Sequence, residues 1–356
     1  AASGQGGETC GHVSWPPRTD GAPDGGSVDF ATAVRWVDMG EADDLEQGPL
    51  VGFDIDGRCS CLGEQGSCIP SAFVSNPDLL CDGPGGIDNN AARVFAEASL
   101  FVDPASVSSE AFSAEMLNGD YSLLIRVRDY NGGADDSHVR VALYTSPGIR
   151  RDPCNDPEAL PSWDGQDRWP VDSKSVAGMS AGGGGGEGGG ACIEGPDPSL
   201  DDPLFFDDNA YVADGVLVAS LPKSRLVLPR DNGVTIIGGA LTGRIEPGVN
   251  GYALRQGRLA GRWADGDILG EVAAIIGEDD EPLCTDAGIY NLMKAAICKY
   301  VDIEGVVGGP TAPCDAISLG IAFEAEPAKL GSVHVTEELG LSCPRATDPS
   351  GDRCAR

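Results

Sequence analysis

Apolar and polar positions alternate with a period of two through much of the chain. Val28, Phe30, Val34 and Trp36 interleave with Asp29, Ala31, Ala33 and Arg35, the mark of a half-buried strand. Leu123, Ile125 and Val127, then Val139, Val141 and Leu143, repeat it on either side of the breaker-rich segment 129–136, which predicts a β-hairpin over 121–145. Short apolar runs follow at 216–218, 226–228, 234–237 and 259–260, and a further alternating strand carries Ile317, Leu319, Ile321 and Phe323. Helical spacing is rarer. It predicts a helix from about Ala91, capped by Asp88 or Asn89 and carrying Val94, Phe95 and Leu100. Two more are expected near 267–277 and 287–300.

Many short strands with few helices predict a mainly β fold. The expected form is a β-sandwich of jelly-roll or lectin-like kind, in which the first and last long strands pair. Residues 1–25, rich in Gly, Pro and Asp, read as irregular; 26–340 as a single domain; and 341–356 as a tail tied down by a disulfide. Eight glycines within 182–190 lie inside a loop-like stretch. The segment 177–198 is expected to be an insertion in one fold, with an inter-domain linker as the competing reading. Cys154 and Cys192 flank the tract and are expected to bond, closing the base of a long loop.

Composition narrows the setting. Twelve cysteines without metal-type spacing imply disulfides and an oxidising compartment. The start Ala-Ala-Ser-Gly-Gln-Gly-Gly is expected to be what remains after a signal peptide is removed, giving a secreted, periplasmic or cell-surface protein. No Asn-x-Ser/Thr acceptor occurs, and no apolar run approaches the roughly 20 residues of a membrane-spanning helix. The formal charge of −32 argues against nucleic acid and anionic membrane as partners.

The phrases Gly52-Phe-Asp-Ile-Asp-Gly57, Asp82-Gly-Pro-Gly-Gly-Ile-Asp-Asn89, Asp129-Tyr-Asn-Gly132, Trp163-Asp-Gly-Gln-Asp-Arg-Trp169 and Cys314-Asp-Ala-Ile-Ser-Leu319 stand out. Together they make the chain similar, over about 28–325, to an uncharacterised family of exported proteins and lipoproteins from myxobacteria and their relatives. The resemblance implies export and a bacterial source, and it implies no chemistry.

Candidate chemistry comes from oxygen ligands. Asp54, Asp56, Asp82, Asp88 and Asn89, with Asn90, form a first set suited to structural calcium if the cysteines at 59, 61, 68 and 81 fold the two segments together. Asp129, Asn131, Asp135 and Asp136 form a second, and Asp201, Asp202, Asp207, Asp208 and Asn209 a third. Each set is also ordinary turn chemistry. Trp163 and Trp169 are expected either to stack on a carbohydrate or to fold back as a small core. Gly178-Met-Ser-Ala-Gly182 matches a nucleophile elbow but lacks its strand and helix. His12, His138 and His334 are isolated, which disfavours zinc. No carboxylate pair stands out among the 56 acidic residues.

The expected function is a non-enzymatic, lectin-like binding module with calcium-stabilised loops, whose partner is carbohydrate or another surface protein. A structural subunit of a self-assembling extracellular structure and a carbohydrate-active hydrolase are the alternatives.

Overall fold

The computed structural model describes residues 10–41, 48–98, 108–178, 197–227, 233–274, 283–286, 288–306, 312–335 and 343–354. Among the described residues there are nine strands: β1 (Val28–Asp38), β2 (Ser122–Tyr130), β3 (Asp136–Ser146), β4 (Arg168–Asp172), β5 (Phe205–Ala213), β6 (Val216–Val227), β7 (Gly233–Gly248), β8 (Gly251–Ala264) and β9 (Ala316–His334). The helices are α1 (Ala91–Ala98), α2 (Ser109–Asn118), α3 (Asp265–Ala274) and α4 (Gly288–Cys298).

The strands make one sheet, in the order β1-β2-β3-β5-β6-β7-β8-β9, and β9 returns to pair with β1. All eight of these pairings are antiparallel, and the ring closes through a register running from Ala31 opposite Ala328 to Asp38 opposite Ala322. β4 lies outside the ring, parallel to the far end of β9. The architecture is therefore a closed eight-stranded barrel with one outer strand, and the expected β-sandwich is incorrect. The pairing of first and last strands exists, but it curls a single sheet shut instead of joining two. Sandwich and barrel share the same alternation and turn spacing, so residue pattern does not separate them. Register shifts in β1, β7 and β8 supply the local bends that curvature needs.

One face of every ring strand contributes to a single core. Leu123, Ile125, Val127, Val141, Leu143, Leu217, Leu221, Ile236, Leu254, Ile317, Leu319 and Phe323 meet there, so this face is the lumen. Phe30, Tyr130 and Tyr252 close one end with ring centroids 4.9–6.2 Å apart. At the other end α2 and α3 plug the mouth with Phe112, Met116, Ile268, Leu269 and Val272. A void of about 40 Å³ remains beside Phe112, Leu259 and Phe323, room for water but not for an organic ligand.

The outer wall carries Arg126, Arg128, Arg258 and Arg262 alongside the apolar Leu124, Ala142 and Tyr144. Among the described residues no helix is long and apolar enough to cross a membrane. A second, smaller core lies outside the ring, where Leu124, Ala142 and Tyr144 meet Ile149, Trp169, Val171, Val176 and Leu200 beneath β4.

Residues 48–90 form a cap on the wall at β8 and β9. Its seat is Gly320: a Cβ there would come within 2.4 Å of the Val51 carbonyl oxygen and 2.8 Å of Gly52 Cα. Beside it, Asn89 Oδ1 accepts from Gly320 N at 2.9 Å, while Nδ2 donates to the carbonyls of Gly320 and Met39. Disulfides Cys10–Cys59 and Cys61–Cys81 tie the cap to itself and to the N-terminal segment, and Cys68–Cys314 ties it to the approach to β9. Cys284–Cys343 and Cys298–Cys354 fasten the C-terminal segment to the neighbourhood of α4. Cys154 is disulfide-bonded, and Cys192, its expected partner, lies outside the described residues, as does Ser180 of the elbow-like match.

Candidate cation site

Two stretches of the cap run side by side, because Asp88 N donates to the Phe53 carbonyl at 3.0 Å and Phe53 and Asp88 form a bridge. That places Asp88 next to the Asp54-Ile-Asp-Gly turn. Ile55 N donates to Asp88 Oδ2 at 2.7 Å, and Asp54 Oδ1 accepts from Gly57 N at 2.7 Å and Arg58 N at 3.2 Å. Asp56 Oδ1 also accepts from Arg58 N, at 2.8 Å. These turn bonds hold one carboxylate oxygen each of Asp54, Asp56 and Asp88 within 4.8 Å of one another. Gly86 completes the wall of the site at φ +75°, where a Cβ would come within 3.1 Å of Asp54 Oδ2 and 2.8 Å of the Arg58 carbonyl oxygen.

Further acids crowd the trio. Asp82 is buried and accepts from Ser60 N at 2.5 Å. Asp302 accepts from Ser318 N at 2.8 Å and Ser318 Oγ at 2.6 Å. Burial foremost, then the negative charge of Asp56 and Asp302, pushes Asp82 up to about 8. Burial pushes Asp302 up to about 7, and burial with Asp56, Asp82 and Asp302 nearby drives Asp88 well above the carboxylate range. Burial also raises Asp56. Ser67 Oγ, buried and without a well-formed hydrogen bond, faces Asp56.

Positive charge in the neighbourhood is sparse. Arg262 reaches in from β8, donating to the Ile55 carbonyl at 2.6 Å, and its charge lowers Asp56. Arg93 donates to Asn90 Oδ1 at 3.1 Å and feels Asp302. His12 Nδ1 lies 2.5 Å from Asp54 Oδ2, and that hydrogen bond raises the imidazole. Five carboxyl groups outnumber these cations in a poorly hydrated place, so protons or a bound cation must balance the remainder. Carboxylate and hydroxyl oxygens suit a hard ion such as calcium. The sulfurs of Cys10 and Cys59 also lie close to His12, but they are bonded to each other and offer no thiolate to zinc.

The other candidates of the first set divide. Asp82 stands in the charge cluster outside the trio. Asn89 is not a ligand, because its amide is consumed pinning the cap to β9 and Met39. The second set does not converge. Asp129 pairs with Arg140 at 2.6 Å, Asn131 caps Gly133 N, Asp135 accepts from Thr19 and Asp214 N, and Asp136 accepts from Gly25, Asn131 and His138 N–H groups. These are turn formers. The third set divides: Asp201, Asp202 and Asp208 line a cleft on the outer wall, whereas Asp207 accepts from Asn209 N and Ser220 N, and among the described residues no three of its carboxylates meet within 4.8 Å. Trp169 is fully buried and packs on Trp163 at 5.3 Å, so the pair belongs to the outer core and is not an open platform for sugar.

Asp302 and Arg262 were not legible as site residues, since only the strands and Cys68–Cys314 bring them to the cap. His12 joins the cluster through Cys10–Cys59. No protein-family model matches the chain, and no curated protein or solved structure is detectably similar to it, so the fold and the site rest on its own residues.

Proposed function

We propose that the chain is an exported, non-enzymatic binding module whose cysteine-rich cap is organised by a calcium ion. The observation that carries the reading is the convergence of Asp54, Asp56 and Asp88 within 4.8 Å of one another. Asp54 and Asp88 are buried and Asp56 is partly exposed, which leaves a route for an ion to enter. Asp54, Asp82 and Asp88 already accept hydrogen bonds from cap N–H groups, an arrangement that supports a structural ion better than a general acid reaching for substrate. Disulfides tying the cap, the approach to β9 and the C-terminal segment support an oxidising, extracytoplasmic setting.

The test is thermal unfolding of the oxidised protein with calcium, with magnesium, and with a chelator. A ligand stabilises only the state that binds it, so calcium is expected to raise the midpoint and the chelator to reverse the change. An unchanged midpoint would remove the ion from the account and leave protons on Asp82, Asp88 and Asp302 to offset the charge.

A further inference from the structure

A second polar site lies on the outer wall, on elements separate from the cap. Strands β2, β3 and β5 border a cleft of about 200 Å³ lined by Arg128, Arg140, Asp201, Asp202, Phe206 and Asp208. Arg128 and Arg140 are direct cross-strand partners, an arrangement that is unfavourable for like charges unless acids intervene. Acids do: Arg128 pairs with Asp201 at 2.8 Å, Arg140 with Asp129 at 2.6 Å, and Asp208 adds its field at Arg140. Phe206 stands opposite Ala142 in the register and is 44% exposed, so a large ring borders the space left by a small residue.

We infer that this cleft binds one neutral sugar ring. Guanidinium groups only donate hydrogen bonds and carboxylates only accept them. A ligand that uses both, repeatedly and at short spacing, carries vicinal hydroxyls, each of which donates and accepts. Arg128 is held by Asp201 and Arg140 by Asp129, so the donors of the cleft are set before the ligand arrives, with the Asp202 and Asp208 carboxylates beside them as acceptors. Phe206 offers an apolar face to the C–H side of a pyranose. The volume is below the roughly 300–1,000 Å³ of pockets that enclose drug-sized molecules, which limits the occupant to a single ring. Three lining acids against two arginines disfavour an anionic ligand. The inference names what the binding module binds and rests on that reading, but no side chain of the cleft belongs to the cation cluster.

The experiment is saturation-transfer NMR of the full oxidised chain with free glucose, galactose, mannose and N-acetylglucosamine, in chelator and in calcium. At least one of these sugars is expected to bind in both conditions. Phe206→Ala and Asp202→Asn are each expected to weaken it about tenfold, with unfolding midpoints unchanged, because both side chains are exposed. Leu160→Ala, on another exposed surface, is expected to bind as the parent does. Absence of binding by all four sugars, or binding that survives both cleft substitutions, would overturn the inference. Binding lost in chelator would also overturn it while leaving the cation reading intact. Binding in chelator by a protein whose midpoint ignores calcium would sink the cation reading and leave the cleft standing.

Discussion

Asp88→Asn distinguishes a cation ligand from a buried turn carboxyl, because the two roles give opposite orders of stability. Asp88 is 3% exposed and accepts one hydrogen bond, from Ile55 N at 2.7 Å. Asparagine keeps that bond through its amide oxygen and resembles the neutral acid that burial and the surrounding carboxylates favour. Without calcium, at pH 8, the variant is expected to be at least as stable as the parent, because a group whose ionisation opposes folding has gone. Each pKa unit so relieved contributes about 1.4 kcal/mol. With calcium at about a hundred times its dissociation constant, the parent gains roughly 2.7 kcal/mol and the variant far less. An unfolding entropy of about 2.1 cal/mol/K per residue converts that gain to a rise of roughly 3–4 °C for a chain this long. Calorimetric scans of both proteins in chelator and in calcium therefore show the variant level or ahead in the first and behind in the second. Equal responses to calcium would refute the role of Asp88 as a ligand. A variant weaker by several kcal/mol in chelator would refute the account of its charge.

The remaining predictions concern protons, the cap seat and the outer core. Asp82 and Asp302 titrate near 8 and 7 in the fold, above an ordinary carboxyl. Their contribution to calcium-free stability is therefore complete below about pH 4 and disappears as pH rises toward 8, which urea titrations across that range will show. Asp88, held neutral by burial and the neighbouring carboxylates, must lose its proton to serve as a calcium ligand, so binding heats near neutrality are expected to differ between buffers of unlike ionisation enthalpy. Gly320→Ala drives a methyl against the Val51–Gly52 backbone, and destabilisation of about 1–3 kcal/mol is expected in urea, together with weaker calcium binding. Equal stability would mean the cap is not seated there. Trp169→Ala should cost about 3–5 kcal/mol as a core truncation, whereas Trp163→Ala, partly exposed, should cost less.

The parts of the fold that could be read from residues were those with strong local alternation. β2 and β3 follow directly from Leu123–Ile125–Val127 and Val139–Val141–Leu143. β5 was hidden because Asp207-Asp208-Asn209 has turn composition, yet Asp207 accepts from Asn209 N and Ser220 N within a ladder that pairs Phe205 with Leu143. β4 is only five residues and includes Pro170, which an outer strand tolerates. α2 shows little periodicity beyond Phe112 and Met116, one turn apart, and is set by its Ser108 cap and the barrel mouth it fills. The trio Asp54, Asp56 and Asp88 was legible because glycine turns and cysteines crowd the same short stretch. Asn89 shares that composition but serves the wall, a distinction that only the approach of Gly320 makes. Trp163 and Trp169 illustrate the same limit, since a polar loop gives no sign that its rings face each other.

Closure of the ring has a kinetic side. Apart from the excursion that carries β4, each seam from β1 through β9 joins strands that follow one another along the chain. The last seam joins Val28–Asp38 to Ala316–His334, nearly the whole length of the described chain apart. Short hairpins form early and distant pairings late, because a long loop must close before its contacts reward it. Until that seam forms, β1 and β9 each present a row of unpaired N–H and C=O groups, the template on which chains aggregate. The molecule therefore passes its most association-prone interval just before it becomes a structure with no open seam, and folding yield should fall with protein concentration while the finished barrel remains indifferent to it.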